Sequence, residues 1–304
     1  MDPVTRAAPA TMKGMTLASG LSLRCWGTRG SIPTPGPETV RYGGNTTCFE
    51  IRHAGARLIF DAGSGIRPLG LDVVEKGPDT IHIFLTHFHW DHIQGFPFFA
   101  PLYDPEDSIK VIGPKQKDID VQNLFAGQMG PIYFPVPFSV VAAEMEFEHL
   151  NEGSYELGDV RMEVMRVRHP SFVLAYRVTV GDSTICLVPD NELDGDIYDL
   201  GAGWEKRFID FVGDADLLIH DAMYTDAEYA HRVGWGHSTF SQSARLAEEC
   251  GAGRLLLFHH DPARTDDELD RIVSDVRDEA LSRGSSVVID AAAEGVDIPL
   301  ESGT

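Results

Sequence analysis

The chain of 304 residues carries 47 Asp and Glu against 25 Lys and Arg, and its formal net charge of −22 disfavours a basic groove for long nucleic acid. With 43% hydrophobic and 24% charged residues it lies in the range of folded globular chains, away from the composition of disordered ones. No window approaches the ~18 apolar residues of a membrane span, and Cys25, Cys48, Cys186 and Cys250 form no CxxC pair, which fits a reducing cytoplasm better than a disulfide framework.

Residues 1–20 lack periodicity and any apolar run typical of an export signal, so they are expected to form a loose tail, with Met15 as an alternative start. One domain is expected over residues 21–304. Short β-rich runs recur from Leu21 onward: 21–26, 47–52, 57–61, 81–86, 108–112, 160–168, 175–180, 184–189, 217–220, 254–259 and 286–289. Between them, residues 127–141 alternate prolines and aromatics without period, which suits either a lid over a pocket or a subunit contact in a homodimer. Helices are predicted late. Ser241–Cys250 is entered through Thr239 with Gln242 three residues on, and Asp266–Arg283 through Thr265 with Glu268, closed by Gly284. The second presents Leu269, Ile272, Val273, Val276, Ala280 and Leu281 on one face. Residues 261–304 hold 12 Asp and Glu against 4 Arg, read as a solvated helix face.

Directly after the apolar run IHIFLT comes His87-Phe88-His89-Trp90-Asp91-His92, three histidines and an aspartate in six positions. In the extended backbone leaving a strand, His87 and His89 share a side and suit one metal ion, while Asp91 and His92 lie just beyond and can reach a second. Imidazole and carboxylate donors without a thiolate select Zn²⁺, with Mn²⁺ or Fe²⁺ as alternatives, in an open site of catalytic type.

The motif resembles the HxHxDH signature of the metallo-β-lactamase superfamily, and the resemblance extends over most of the chain. It implies an α/β fold, a four-layer αββα sandwich with two divalent ions at one edge between the sheets. His169 in MRVRHPSF, Asp190 in ICLVPD and His259 in RLLLFHH match the later elements. By resemblance His87, His89 and His169 hold one ion, Asp91, His92 and His259 the other, and Asp190 bridges them. His260 competes with His259, and Asp182, in the turn signal GDST, with Asp190. Asp61 in LIFDAGSG matches a residue that steadies the ligand loop, although it could also cap the local turn.

His89 stands where oxygen-reducing relatives carry Glu, and Asp190 where common zinc β-lactamases carry Cys; Cys186 is read as a core residue. This points to ester, thioester or phosphodiester hydrolysis. The runs Trp26–Ser31, Gly44–Thr46 and Gly236–Thr239 resemble the ribonuclease Z and cyclic-phosphodiesterase branch, where the match of His237 lies near the leaving group. Asp221 in LLIHDAMY is its expected partner. The arm that grips tRNA in that branch is inserted between the matches of His169 and Asp190, which here have only 20 residues between them, enough for one hairpin. The reading is therefore a phosphodiesterase for a small phosphodiester, attacked by a hydroxide bridging the ions, with Arg29, Arg41 and Arg67 as candidates for the substrate's charge. A carboxyl-ester, lactone or thioester hydrolase is the alternative, and a non-catalytic metal-bearing ligand-binding module the second.

Overall fold

The computed structural model describes residues 21–77, 80–194 and 197–300, so the tail expected over residues 1–20 lies outside them. Two seven-stranded mixed sheets pack face to face. The first holds β1 (Leu21–Gly27), β2 (Cys48–His53), β3 (Ala56–Phe60), β4 (Thr80–Phe84), β5 (Ser108–Pro114), β6 (Glu144–Leu150) and the closing strand β14 (Asp297–Leu300), in the order β14-β1-β2-β3-β4-β5-β6. The second holds β7 (Gly153–Leu157), β8 (Val160–Val167), β9 (Val173–Val180), β10 (Ser183–Val188), β11 (Leu217–Asp221), β12 (Arg254–Phe258) and β13 (Val288–Ala291), in the order β13-β12-β11-β10-β9-β8-β7.

The side-chain alternation of each strand divides the core into three layers. Leu256 and Phe258 of β12 point between the sheets, against Phe49 and Phe60, while Leu255 and Leu257 point outward. The outward face of the second sheet is covered by α4 (Trp204–Val212), α6 (Phe240–Glu249) and α7 (Asp266–Ser282). Helices α1 (Ile66–Lys76) and α3 (Val121–Gln128), with the single turn α2 (Trp90–Ile93), cover the first sheet over Ile59, Ile81 and Ile83. The result is the four-layer αββα sandwich.

Helices α6 and α7 begin where the capping residues predict, since Thr239 and Thr265 each close a full capping box, with Gln242 and Glu268. Leu269, Val273, Val276 and Ala280 are buried and Ile272 is partly so, but Leu281 is 68% exposed and does not belong to the packed face. Residues 127–141 are less free than their composition suggests. α3 takes in Gln128, Met129 is fully buried, and Phe134 packs edge-on against Phe98, leaving Ile132 and Tyr133 exposed.

Candidate metal centre

The site assembles at the carboxyl ends of strands from both sheets, where an α/β architecture leaves a crevice. From the first sheet, the chain leaves β4 through Thr86 and delivers His87, His89, Asp91 and His92 within one turn. From the second come His169 after β8, Asp190 after β10, Asp221 ending β11 and His259 immediately after β12. His259 adopts φ +63°, so the chain turns sharply out of the strand and its ring enters the crevice.

Asp190 lies at the middle. Its Oδ2 is 3.6 Å from Nε2 of His87 and 3.8 Å from Nε2 of His169, while its Oδ1 is 3.2 Å from Nε2 of His92 and 3.5 Å from Nε2 of His259. Oδ2 of Asp91 completes the second side, 3.1 Å from His259 and 3.4 Å from His92. His89 joins His87 and His169, its ring centroid 4.5 and 5.0 Å from theirs, and it is the exposed member of the set. The donors fall into the groups His87–His89–His169–Asp190 and Asp91–His92–His259, with Asp190–His237–His259 overlapping both, each with its ligand atoms within 4.8 Å of one another.

The far side of several rings is tied down, which orients the near side. Asp61 accepts from Nδ1 of His92 at 2.8 Å and from the amide and hydroxyl of Thr86 at 2.7 and 2.8 Å. The same hydroxyl lies 3.0 Å from Nδ1 of His87, and Ser171 Oγ lies 2.9 Å from Nδ1 of His169. The inward atoms are left without such partners: Nε2 of His87 and Oδ1 of Asp190 are buried and accept or donate no hydrogen bond among the described residues. Buried polar atoms are rarely orphaned, and a convergent set of imidazole nitrogens and carboxylate oxygens is what a pair of divalent cations requires. The residues fit the implied ions.

The charges agree with that reading. Burial opposes ionisation of Asp190, yet the facing imidazoles of His259, His92 and His87 hold its carboxyl well below the usual range. Burial, opposed by the charge of Asp190 and reinforced by the neighbouring histidines, pushes His169 down to about 3, so its imidazole is neutral and free to act as a ligand.

Asp221 and His237 form a second unit beside this cluster. Oδ2 of Asp221 lies 2.6 Å from Nδ1 of His237, and the His237 ring stacks on His259 at 4.7 Å. Burial works against the imidazolium, but the charge and hydrogen bond of Asp221 outweigh it and raise His237 to about 9.

The remaining expectations divide. His259 enters the cluster, whereas His260 turns away and donates from Nε2 to the carbonyl of Ala292 at 2.9 Å. Asp182 stands exposed in the β9–β10 turn, and Cys186 is buried facing Phe211. Arg29 is not a substrate residue: it is fully buried, its Nε donating to the Gly43 carbonyl at 2.7 Å and its Nη1 to that of Arg264 at 2.7 Å, with Asp266 beside it. Arg41 is held away by Asp267 and Asp270 at 2.6 Å each, and Arg67 stands exposed on the first turn of α1. The side chains of Arg29 and Arg41 thus serve loop and helix contacts instead.

Three further segments of the chain contribute to the site. The Ser31 amide donates to Oδ2 of Asp91 at 2.7 Å, in a loop where a Cβ on Gly30 would stand 2.5 Å from the His259 ring. Likewise a Cβ on Gly236 would stand 2.2 Å from His169, so both glycines allow backbone to press against ligand rings. Glu192 is the third, fully buried two residues after Asp190.

Residues 56–260 match the model of the beta-lactamase superfamily domain. The chain is 25% identical to ribonuclease Z of Thermoplasma acidophilum, over 86% of this chain and 93% of that protein. A metallo-beta-lactamase fold protein of Bacillus subtilis superposes with a TM-score of 0.65 at 20% identity, covering 92% of this chain and 99% of that one. The short form of human tRNase Z does so at 0.63 and 20%, covering 91% and 98%. The chain therefore belongs to the beta-lactamase superfamily, as a metal-dependent hydrolase of the metallo-β-lactamase fold related to ribonuclease Z.

Proposed function

We propose that the chain is a dinuclear phosphodiesterase acting on a small, cyclic-nucleotide-like phosphodiester. The observation that carries this reading is the placement of Asp190 between two histidine sets, with the His237–Asp221 pair beside them. His87, His89 and His169 would hold one ion, Asp91, His92 and His259 the other, and Asp190 both. Bound there, two divalent ions, zinc first and manganese or iron as alternatives, supply Lewis acidity and an acidified water. His237, whose protonated form Asp221 favours, donates its proton to the departing oxygen, and Asp221 keeps Nδ1 protonated so that Nε2 faces the site.

Support for a small substrate comes from the span between His169 and Asp190, which is occupied by β9, a turn at Gly181 and β10, one hairpin with no room for a gripping arm. The net charge of −22 works in the same direction. The four thiols are buried and unpaired, in keeping with a cytoplasmic protein, and among the described residues no helix is long and apolar enough to cross a membrane. Exposed Ile132 and Tyr133 suit the same two roles for residues 127–141, a lid or a homodimer contact.

The test is initial-rate hydrolysis of a chromogenic phosphodiester beside a chromogenic carboxyl ester, with protein reconstituted separately with zinc and manganese. Metal-dependent phosphodiester cleavage is expected. Ester cleavage alone would move the assignment to a carboxyl-ester, lactone or thioester hydrolase, and silence on both would favour a ligand-binding module.

A further inference from the structure

Glu192 has no role in binding ions, yet its carboxylate is fully buried and each of its oxygens accepts two hydrogen bonds. Oε1 takes the Tyr229 hydroxyl at 2.7 Å and the Gly234 amide at 2.7 Å; Oε2 takes the Tyr198 hydroxyl at 2.8 Å and the Gly236 amide at 2.8 Å. Gly234 and Gly236 adopt φ +87° and +92°, conformations that aim successive amides at the carboxylate and that side chains other than glycine strain to reach. The four donors come from the segment after Asp190, from the short helix α5 (Asp226–Tyr229) and from the loop that ends in His237.

The lacing continues on either side. The Ser238 hydroxyl donates to the Asn191 carbonyl at 2.6 Å and accepts from the Leu193 amide at 3.1 Å, and the Asn191 amide reaches Oδ2 of Asp221 at 3.3 Å. Residues 191–193 are thereby stitched to residues 234–238. A buried carboxylate is costly unless its donors are preorganised, and here the donors are the backbone of the acid-bearing loop itself.

We propose that Glu192 is a positioning residue that fixes the loop bearing His237 to the segment bearing Asp190, so that the proton donor and the bridging carboxylate keep one geometry. This rests on the proposed acid role of His237 and goes beyond it by naming what sets the distance. A Gln at 192 keeps the volume but replaces one oxygen with an NH₂ group, which cannot accept from an amide, so one of the two glycine contacts is lost. The phenols are less sensitive, since burial and the Glu192 contact push both upward and a hydroxyl can reverse its donor.

The test compares wild type, Glu192→Gln, Tyr229→Phe and His237→Ala as full-length zinc-loaded protein on two phosphodiesters, one with a nitrophenol and one with an alkanol leaving group. Glu192→Gln is expected to lower kcat for the alkanol ester by about 10- to 100-fold, part of what a general acid contributes, while KM, zinc content and the nitrophenol ester change by less than about threefold. In the His237→Ala background the same substitution should cost nothing further. Equal loss on both esters, or a loss that persists without His237, would overturn the assignment. Amide exchange of the metal-free protein gives a reading that needs no turnover: Gly234 and Gly236 exchange faster in Glu192→Gln while β10–β12 do not. Unchanged exchange at both glycines refutes the clamp even if the enzyme proves to act on another ester, and failure of wild type on phosphodiesters refutes the substrate reading without touching the exchange result. If Glu192→Gln fails to fold, Tyr229→Phe carries the test, with a smaller loss confined to the alkanol ester expected and no such selectivity contradicting it.

Discussion

Asp221 and His237 meet at 2.6 Å, with the carboxylate fully buried at the end of β11 and the imidazole at the end of a loop from the facing segment. The pairing raises His237 to about 9 against a burial effect of the opposite sign. Replacing Asp221 by Asn removes the nearest charge opposing burial and leaves only the more distant Asp190 and Asp91, so the His237 midpoint is expected to fall well below its value of about 9. A histidine NMR titration of the metal-free protein measures this directly, and an unmoved midpoint contradicts it. Because the folded value lies above the unfolded one, the proton bound by His237 stabilises the fold fully below pH ~6.5, and that contribution is lost as pH rises through about 9. Bound cations repel the imidazolium and shift the same transition to lower pH in the loaded enzyme.

Asp61 acts through two rings, touching His92 directly and His87 by way of the Thr86 hydroxyl. Its φ of +63° is one that Asn tolerates, so Asp61→Asn isolates the electrostatic role from the backbone. Metal affinity is expected to drop by about 10- to 100-fold with the fold retained, measured by competition against a chromogenic chelator. Affinity within twofold of wild type would reduce Asp61 to a turn residue.

Thr265 caps the 17-residue helix α7 at its N-terminus and accepts the amide of Glu268 at 3.3 Å. Thr265→Ala is expected to lower stability by about 0.5–2 kcal/mol in urea titration while leaving turnover per folded molecule unchanged. A change in turnover without a change in stability would tie this helix start to the site.

The candidate metal-binding residues were legible because four of them are compressed and the others follow strands. His87 to His92 lie within one turn of chain, and His169, Asp190 and His259 each follow an apolar strand. What the sequence hid has physical causes. The strands not predicted, β6, β7 and β14, are all sheet edges, where Glu144, Glu146, Glu148 and Pro299 discourage pairing with another chain and erase the usual β composition. Two helices were masked too, α1 by Pro68 and Gly70 within it and α4 by its entry through Gly203 at φ +74°. Arg29 shows the limit on substrate contacts: proximity along the chain fixes where a backbone passes, and only packing decides where a long side chain points. Glu192 was invisible for the same reason, since its partners lie 6 to 44 residues away and two of them are backbone amides.

Asp190 is the residue on which a two-ion centre depends, because each of its oxygens faces a different histidine set. Stepwise addition of zinc to the metal-free protein, with bound metal and phosphodiester hydrolysis followed together, tests the account most directly. It predicts two ions per chain, activity that saturates at the second, and in Asp190→Ala at most one tightly held ion with a rate lower by roughly three orders of magnitude, as the loss of several kcal/mol of charge stabilisation implies. Full activity at one equivalent, or hydrolysis in Asp190→Ala near the wild-type rate, would contradict it.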